Sequence, residues 1–248
     1  MGESAATAER EIRVYRDRDE LATASAAAIA ATLRDALARR GTATLALSGG
    51  GTPLDTFRCL VREELPWERV DLFWVDERCV PPDDPESNYG NARRELLEPA
   101  GVPETSVHRM RGELPPAEGA RGYERLLRSR WGTDGRGDRA PAFDLALMGI
   151  GEDGHTASLF PGQRVPDDLW VVPSRGPVPP HDRVTLTYAA LRGARRTVFL
   201  VRGEGKAGVL ARILDEPDSG LPAARVAAEA RSLVWMLERS VTSSSRRS

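Results

Sequence analysis

The sequence predicts an α/β fold in which a mainly parallel sheet is covered by helices on both faces. Short apolar segments of strand length alternate along the chain with segments of helical periodicity, as in repeated strand–helix–strand units. The length of 248 residues suits one α/β domain. Glycine-rich or charged turns follow several of the apolar segments, and open α/β sheets bind their ligands beyond the carboxyl ends of such strands.

The predicted elements follow from composition and spacing. The predicted strands are residues 12–15, 44–47, 70–75, 107–110, 143–150, 169–172, 184–187, 197–201 and 233–237. The predicted helices are residues 19–39, 54–64, 87–97, 118–131 and 208–214. The first helix is rich in alanine, and Gly41 is placed to end it.

The domain organisation is expected to be simple, because neither a repeat nor a boundary is evident. We expect one domain over residues 1–240 and a disordered Ser/Arg-rich tail over residues 241–248. Residues 132–140, rich in Gly, Asp and Arg, are predicted to form a flexible surface loop.

Charge and hydropathy exclude several classes of function. Lys and Arg total 35 and Asp and Glu total 37, and a net charge of −2 does not favour non-specific binding to nucleic acid. No secretory signal opens the chain, and its most apolar early stretch, residues 26–31, is far too short to span a membrane. We therefore expect a cytoplasmic protein without a nucleic-acid or membrane partner.

The first functional candidate is a glycine loop between the strand 44–47 and the helix 54–64. It reads Ser48-Gly49-Gly50-Gly51-Thr52-Pro53. Glycines allow a close backbone approach, while Thr52 is a candidate N-cap and Pro53 suits a first helical position. The free N–H groups and the helix dipole then favour an anion, most simply a phosphate. The alternative is an ordinary tight turn, since the loop matches neither a Walker A nor a GxGxxG pattern.

The second candidate is the charged segment that ends the strand 70–75. Asp76, Glu77 and Arg78 face the expected crevice, and Arg78 could clamp a phosphate or carboxylate with two hydrogen bonds. The alternative is a solvated strand end with a local ion pair. Ser87, further along, is predicted to be an N-cap.

The third candidate is the segment from Gly149 to Pro161, which follows the strand 143–150. His155 is a candidate general base, and Asp153 could orient its imidazole and select its tautomer. No GxSxG nucleophile elbow and no metal-ligand spacing is present, so a base acting directly on substrate or water is preferred over a covalent or metal mechanism. His108 and His181 are expected to be structural or surface residues.

Two cations complete the set of candidates. Of the 35 basic residues, 34 are arginine and one is Lys206, which follows the strand 197–201 at the expected crevice. An ammonium is a compact point charge that a guanidinium does not mimic, so we expect Lys206 to contact the ligand. Arg183, which opens the strand 184–187, is a less certain contact.

These motifs together resemble 6-phosphogluconolactonases over nearly the whole chain. The matching runs are LSGGGTP (47–53), VDER (75–78), SNY (87–89), GIGEDGHTASLFP (149–161), RVTLT (183–187) and GEGKA (203–207). The resemblance implies a Rossmann-like (NagB-like) fold shared with glucosamine-6-phosphate deaminases. It also implies hydrolysis of 6-phospho-D-glucono-1,5-lactone to 6-phospho-D-gluconate in the oxidative pentose phosphate pathway. Asp76 and Gly151 join the substrate-binding candidates on this resemblance.

The chemistry of lactone hydrolysis agrees with these residues. His155 would activate water and return the proton to the leaving ring oxygen, while Ser48–Thr52, Arg78 and Lys206 hold the phosphate; no cofactor or metal is required. The oxyanion donor is left open between a loop N–H group and a cationic side chain. The alternatives are an amino-sugar-phosphate deaminase/isomerase and a non-catalytic sugar-phosphate sensor. Monomer and homodimer are equally compatible with the sequence.

Overall fold

The computed structural model describes residues 9–132 and 140–246, which form ten strands and seven α-helices. The strands are β1 (Glu9–Tyr15), β2 (Ala43–Leu47), β3 (Val70–Trp74), β4 (Asp76–Arg78), β5 (Val107–His108), β6 (Leu145–Met148), β7 (Val171–Arg175), β8 (Asp182–Leu186), β9 (Thr197–Val201) and β10 (Ser232–Glu238). The helices are α1 (Arg18–Arg40), α2 (Gly51–Leu60), α3 (Asn88–Ala92), α4 (Pro116–Trp131), α5 (Tyr188–Leu191), α6 (Ala207–Asp215) and α7 (Pro222–Glu229).

The main sheet has seven strands in the order β1-β10-β9-β6-β2-β3-β5, and every pair is parallel. Its central strands β2, β6 and β9 are buried along their whole length, which explains their unbroken apolar sequences. The α/β class and the mainly parallel sheet predicted from the sequence are confirmed.

The connections place a topological switch point between β2 and β6. From β2 the chain proceeds to β3 and β5 on one side, whereas β6, β9 and β10 lie on the other side. Ligands of open α/β sheets bind beyond the carboxyl ends of the strands at such a point. The glycine loop follows β2 and the segment that contains His155 follows β6, so both flank this crevice.

A second sheet, which the sequence analysis did not predict, is three-stranded and antiparallel in the order β4-β8-β7. The charged segment Asp76–Arg78 does not simply extend the strand before it, because it forms β4 and pairs with β8. Val75 joins the two sheets: its N–H donates to Leu47 O, and its carbonyl accepts from Leu186 N–H. A three-residue strand whose partner lies more than a hundred positions away carries no local pattern, so it escaped prediction.

Helix α1 has the limits and the caps that its sequence favours. The Asp17 carboxylate accepts the N–H of Glu20 at 2.9 Å, and Gly41, with φ of 78°, donates to Leu37 O as predicted. By length and mean hydropathy (1.2) α1 would suit a membrane span, which was not expected from the sequence. It instead packs against α2 and the sheet and buries Leu21, Ile29 and Leu33.

Several boundaries differ from the predicted ones. Helix α2 ends at Leu60 rather than at residue 64, while α5 and α7 were not predicted. The predicted helix 87–97 is α3 followed by a π-helical turn, Arg93–Leu97. Val241, where the tail was expected to begin, is buried within a 3₁₀-helix, Arg239–Arg246. Residues 133–139 of the predicted loop and residues 247–248 lie outside the described residues.

Candidate active site

The carboxyl ends of β2, β6 and β9, together with β4, surround a crevice of about 340 Å³. The structure places most of the predicted site residues on its wall: Ser48, Gly49, Gly50, Gly51, Thr52, Asp76, Arg78, Gly151, His155 and Lys206. Asp153 and Arg183 stand behind this wall, next to His155 and Arg78 respectively. The loops predicted to converge are therefore neighbours in space.

A larger cavity, of about 1110 Å³, lies at the opposite end of the sheet, near the amino ends of β2 and β6. None of the candidate site residues lines it. We place the functional site in the smaller crevice, because it lies at the switch point and contains the candidate base and cations.

The glycine loop leads directly into α2 without a side-chain cap. Gly50, with φ of 97°, is the N-cap, and Gly51 is the first helical residue. The prediction that Thr52 is the N-cap is therefore wrong, and Pro53 occupies the third helical position rather than the first. Since no side chain caps this helix end, its first N–H groups are available to an anion in the crevice.

Asp76 hydrogen-bonds to residues of two other segments that surround the crevice. Its buried carboxylate accepts the hydroxyl of Ser158 at 2.6 Å and the Asn88 side-chain amide at 3.2 Å. Asn88 in turn packs against the glycine loop so closely that a Cβ on Gly49 would overlap its side-chain oxygen. Asp76, which was assigned to substrate binding, thus links the loops after β2 and β6.

Glu77 is buried and anchors the start of α3. Its carboxylate accepts the N–H groups of Arg78, Asn88 and Tyr89 at 2.7, 2.7 and 2.8 Å. The hydroxyl of Ser87 donates to it at 3.2 Å and also accepts Gly90 N–H as the predicted N-cap of α3. Burial raises the pKa of Glu77 to about 7, although the three N–H donors oppose this shift.

Arg78 and Arg183 form a pair of adjacent guanidinium groups on the β4–β8 ladder, where they are register partners. Arg78 donates to the carbonyl and the carboxylate of Glu86 at 2.9 and 3.1 Å. The buried Nε atom of each arginine has no hydrogen-bond partner within the described ranges. Burial and the charge of Arg78 lower the pKa of Arg183, so an anion at Arg78 would relieve this repulsion.

The loop after β6 holds Asp153 against the imidazole of His155. Asp153 Oδ1 lies 2.6 Å from His155 Nδ1 and accepts the backbone N–H of the same histidine at 3.1 Å. Gly154 turns the loop with φ of 85°. Gly151 packs beneath the pair, because a Cβ there would overlap the His155 ring and lie 2.6 Å from Asp153 Oδ1. With Nδ1 paired to the carboxylate, Nε2 is left as the basic nitrogen.

Burial acts to raise the pKa of Asp153, but the N–H and the imidazole of His155 outweigh it and lower that pKa. The carboxylate is therefore ionised at neutral pH and can stabilise a positively charged imidazole ring. The ring also packs against Phe160, with 4.8 Å between the ring centroids. Both contacts restrict the orientation of a candidate base.

Lys206 closes the crevice on the β9 side. It lies at the end of a 3₁₀ turn, Glu204–Lys206, and immediately precedes α6. Burial lowers the pKa of its ammonium, Glu152 opposes that shift, and Arg202 adds to it. A half-buried cation close to another cation is a setting that an anionic ligand would stabilise.

Three crevice or supporting residues were not assigned to the site from the sequence: Asn88, Ser158 and Arg202. Asn88 and Ser158 stand in motifs that carried the resemblance, but their contacts with Asp76 depend on elements far apart in the chain. The other two histidines are structural, as expected. His108 pairs with Asp71 at 2.8 Å, and His181 Nδ1 lies 2.9 Å from Gly176 O.

Comparison with known proteins agrees with this architecture. A family model described as Glucosamine-6-phosphate isomerases/6-phosphogluconolactonase matches residues 16–235. A 6-phosphogluconolactonase of Homo sapiens is 40% identical over 237 residues, 92% of this chain and 90% of that protein. The crystal structure of a 6-phosphogluconolactonase from Thermotoga maritima matches with a TM-score of 0.80 at 32% identity, covering 93% of this chain and 100% of that one. A monomeric glucosamine-6-phosphate deaminase shares the fold, with a TM-score of 0.79 at 22% identity over 94% of this chain and 99% of that one.

Proposed function

The chain belongs to the family of glucosamine-6-phosphate isomerases and 6-phosphogluconolactonases, and we propose that His155 is its general base. It is an enzyme that hydrolyses a 6-phosphogluconolactone. The observation that carries the proposal is the Asp153–His155 pair, at 2.6 Å, beside a crevice lined with cationic residues. The substrate is 6-phospho-D-glucono-1,5-lactone and the product is 6-phospho-D-gluconate.

In the first step Nε2 of His155 accepts a proton from water as the water oxygen bonds to the lactone carbonyl carbon. The carbonyl π electrons move onto oxygen and give a tetrahedral oxyanion. Asp153 stabilises the imidazolium that forms, because its carboxylate already faces Nδ1. A loop N–H group and a cationic side chain are the alternative donors to the oxyanion.

In the second step the oxyanion re-forms the carbonyl, and the bond between that carbon and the ring oxygen breaks. The imidazolium of His155 returns its proton to the ring oxygen, which becomes the hydroxyl of the open-chain product. The new carboxylic acid then ionises in water, so His155 and Asp153 end in their starting protonation states. The cycle needs no electron transfer.

The phosphate is held by charge at the end of the crevice. The uncapped N-terminus of α2 supplies N–H groups and the positive end of the helix dipole, while Lys206 and Arg78 supply cations. Arg183, the register partner of Arg78 on β8, adds to the positive electrostatic potential at this end. Since the net charge is −2, the attraction for a phosphorylated substrate is local to this crevice.

The test is lactone hydrolysis with freshly prepared substrate, corrected for the spontaneous rate. We expect His155→Ala to lose about 100- to 10,000-fold in kcat, with KM changed little. His181→Ala is the matched control, because that histidine contacts a loop carbonyl outside the crevice and should leave kcat unchanged. A near-normal kcat in His155→Ala would disprove the general-base role. Glucosamine 6-phosphate should release no ammonia.

A further inference from the structure

Asp55, in the first turns of α2, is the centre of an arginine cluster beside the crevice. Its side chain is 9% exposed, and it accepts hydrogen bonds from Arg18, Arg58 and Arg202. The side chains of Arg18 and Arg58 are about half exposed, at 55% and 51%, whereas that of Arg202 is 25% exposed. Arg202 is thus the least exposed of the three arginines.

Arg202 reaches the glycine loop from the end of β9. Its Nη1 donates to Asp55 Oδ2, which restrains the position of the guanidinium. Its Nη2 lies 3.5 Å from the position of a Cβ on Gly51, the first residue of α2. Among the described residues, Nη2 makes no hydrogen bond to protein. One nitrogen of the guanidinium is therefore bonded to Asp55, and the other is free beside the helix N-terminus.

The charge at this end of the crevice favours an additional anion. Three arginines share Asp55, and Glu95 also pairs with Arg58, so two carboxylates face three guanidinium groups and one positive charge is left over. Lys206 is close enough for the charge of Arg202 to lower its pKa. Although Asp55 faces Arg202 and Glu152 acts on Lys206, the two cations and the N-terminus of α2 bring positive charge to the same end of the crevice, which a bound anion would stabilise.

We propose that Arg202, oriented by Asp55, binds the phosphate of the substrate together with Lys206 and the N-terminus of α2. This inference rests on the proposed function and adds a binding residue that the sequence motifs did not indicate. Guanidinium groups suit this task because they donate two parallel hydrogen bonds to phosphate oxygens. Asp55 serves as a positioning residue, since it holds the group in place before the substrate arrives.

The experiment compares two variants that each remove one arginine from Asp55. Arg202→Gln removes the nitrogen beside Gly51, whereas Arg18→Gln removes an exposed partner that donates to both oxygens of the same carboxylate and leaves Arg58 and Arg202 bonded to it. We expect Arg202→Gln to raise the KM for the phosphorylated lactone about 10-fold with little change in kcat. Arg18→Gln should keep both the KM of the wild type and the wild type's response to added salt.

Two further readouts separate phosphate binding from a structural effect. Arg202→Gln should weaken the Kd for 6-phosphogluconate about 10-fold by calorimetry, while its kcat/KM for unphosphorylated glucono-1,5-lactone stays at the wild-type value. Arg202→Lys keeps one charge but lacks the fork that spans Asp55 and the phosphate, so an intermediate Kd is expected. It also serves as the test if Arg202→Gln fails to fold.

Wild-type KM and Kd values in both Arg202 variants would overturn the proposal, as would equal losses with phosphorylated and unphosphorylated lactones. These outcomes differ from a failure of the proposed function. If the wild type turned over no lactone, the Kd for 6-phosphogluconate would still report whether Arg202 binds its phosphate.

Discussion

The carboxylate of Asp153 lies 2.6 Å from Nδ1 of His155 and also accepts the backbone N–H of that histidine at 3.1 Å. One side chain therefore fixes both the ring and the backbone of the candidate base. Because the pKa of Asp153 is lowered by His155 against the opposing effect of burial, the carboxylate remains charged at neutral pH. The pair is the starting point for two predictions about turnover.

Asp153→Asn should reduce kcat about 100- to 10,000-fold while leaving KM nearly unchanged. An asparagine that donates its amide hydrogen to Nδ1 moves the imidazole proton to Nε2, where the base must accept one. The measurement is steady-state lactone hydrolysis. Asp167→Asn, at an exposed carboxylate paired with Arg225, is the control and should behave as wild type. A kcat above one tenth of the wild-type value in Asp153→Asn would contradict the assigned tautomer.

Gly151→Ala should lower kcat about 100-fold without unfolding the protein. The added Cβ overlaps the His155 ring and lies 2.6 Å from Asp153 Oδ1, so the pair must shift away from its position in the crevice. Gly122→Ala, on α4, adds the same methyl group where no atom lies within 4 Å and should change nothing. Normal turnover in Gly151→Ala would show that the base tolerates displacement.

Lys206→Ala should raise the KM for phosphorylated lactone about 10-fold, because the phosphate loses a charged hydrogen-bond donor. Lys206→Arg should not restore the wild-type KM, since the longer, planar guanidinium does not fit where a compact ammonium sits. Both variants are compared by KM and by the Kd for 6-phosphogluconate. Full recovery by arginine would mean that the single lysine of the chain is exchangeable.

The affinity for 6-phosphogluconate should begin to fall with rising pH at a lower pH than a free lysine, with its pKa of 10.5, would predict. Burial lowers the pKa of Lys206 from 10.5, so the ammonium loses its proton, and the phosphate loses a cation, earlier than for a free lysine. Calorimetric Kd values between pH 7 and 10 test this prediction for the wild type. Lys206→Ala should lack this part of the pH dependence, and an identical dependence in both proteins would assign it to another group.

At pH 5, Glu77→Gln should reduce the free energy of unfolding by about 1–3 kcal/mol. The amide NH₂ of glutamine would face N–H groups of Arg78, Asn88 and Tyr89 that now donate to a carboxylate. Urea denaturation measures the loss. Glu98→Gln, at a side chain that is 67% exposed, is the control and should change stability by less than about 0.5 kcal/mol.

The same residue predicts a pH dependence of stability. The pKa of Glu77 rises from 4.5 to about 7 on folding, so between these values the native state holds a proton that the unfolded chain has lost. The stability that protonated Glu77 contributes is complete below pH 4.5 and is lost as the pH rises through 7. Glu77→Gln lacks this contribution, so the stability difference between variant and wild type should narrow from pH 5 to pH 8. A constant difference would contradict the raised pKa.

The parts of the fold that sequence predicted are those with a local pattern. Strands β2, β3, β6 and β9 are mostly apolar runs, and α1 is an alanine-rich segment that ends before Gly41. Parallel strands that neighbour one another must bring their carboxyl ends to one edge. For that reason the convergence of the glycine loop, Arg78, His155 and Lys206 followed from the sequence before any side chain was placed.

The sequence did not reveal contacts between distant parts of the chain. Asp76 lines the crevice, but no local pattern indicates that its carboxylate accepts the hydroxyl of Ser158, 82 positions away. Thr52 looked like a helix cap, but the N-cap is Gly50 and the helix begins at Gly51. Neither outcome is visible in a short window, because hydrogen-bond partners are selected when the elements pack together.

By itself, the sequence determined the α/β class, the loops that carry the chemistry and the presence of a histidine beside an aspartate. Tertiary structure alone decided that Asp76–Arg78 joins a second sheet and that Asp55 holds Arg202 against the N-terminus of α2. The physical reason is the range of the interactions. Periodicity and capping act within a few residues, whereas pairing of charges and of edge strands joins residues that only the packed fold brings within hydrogen-bonding distance.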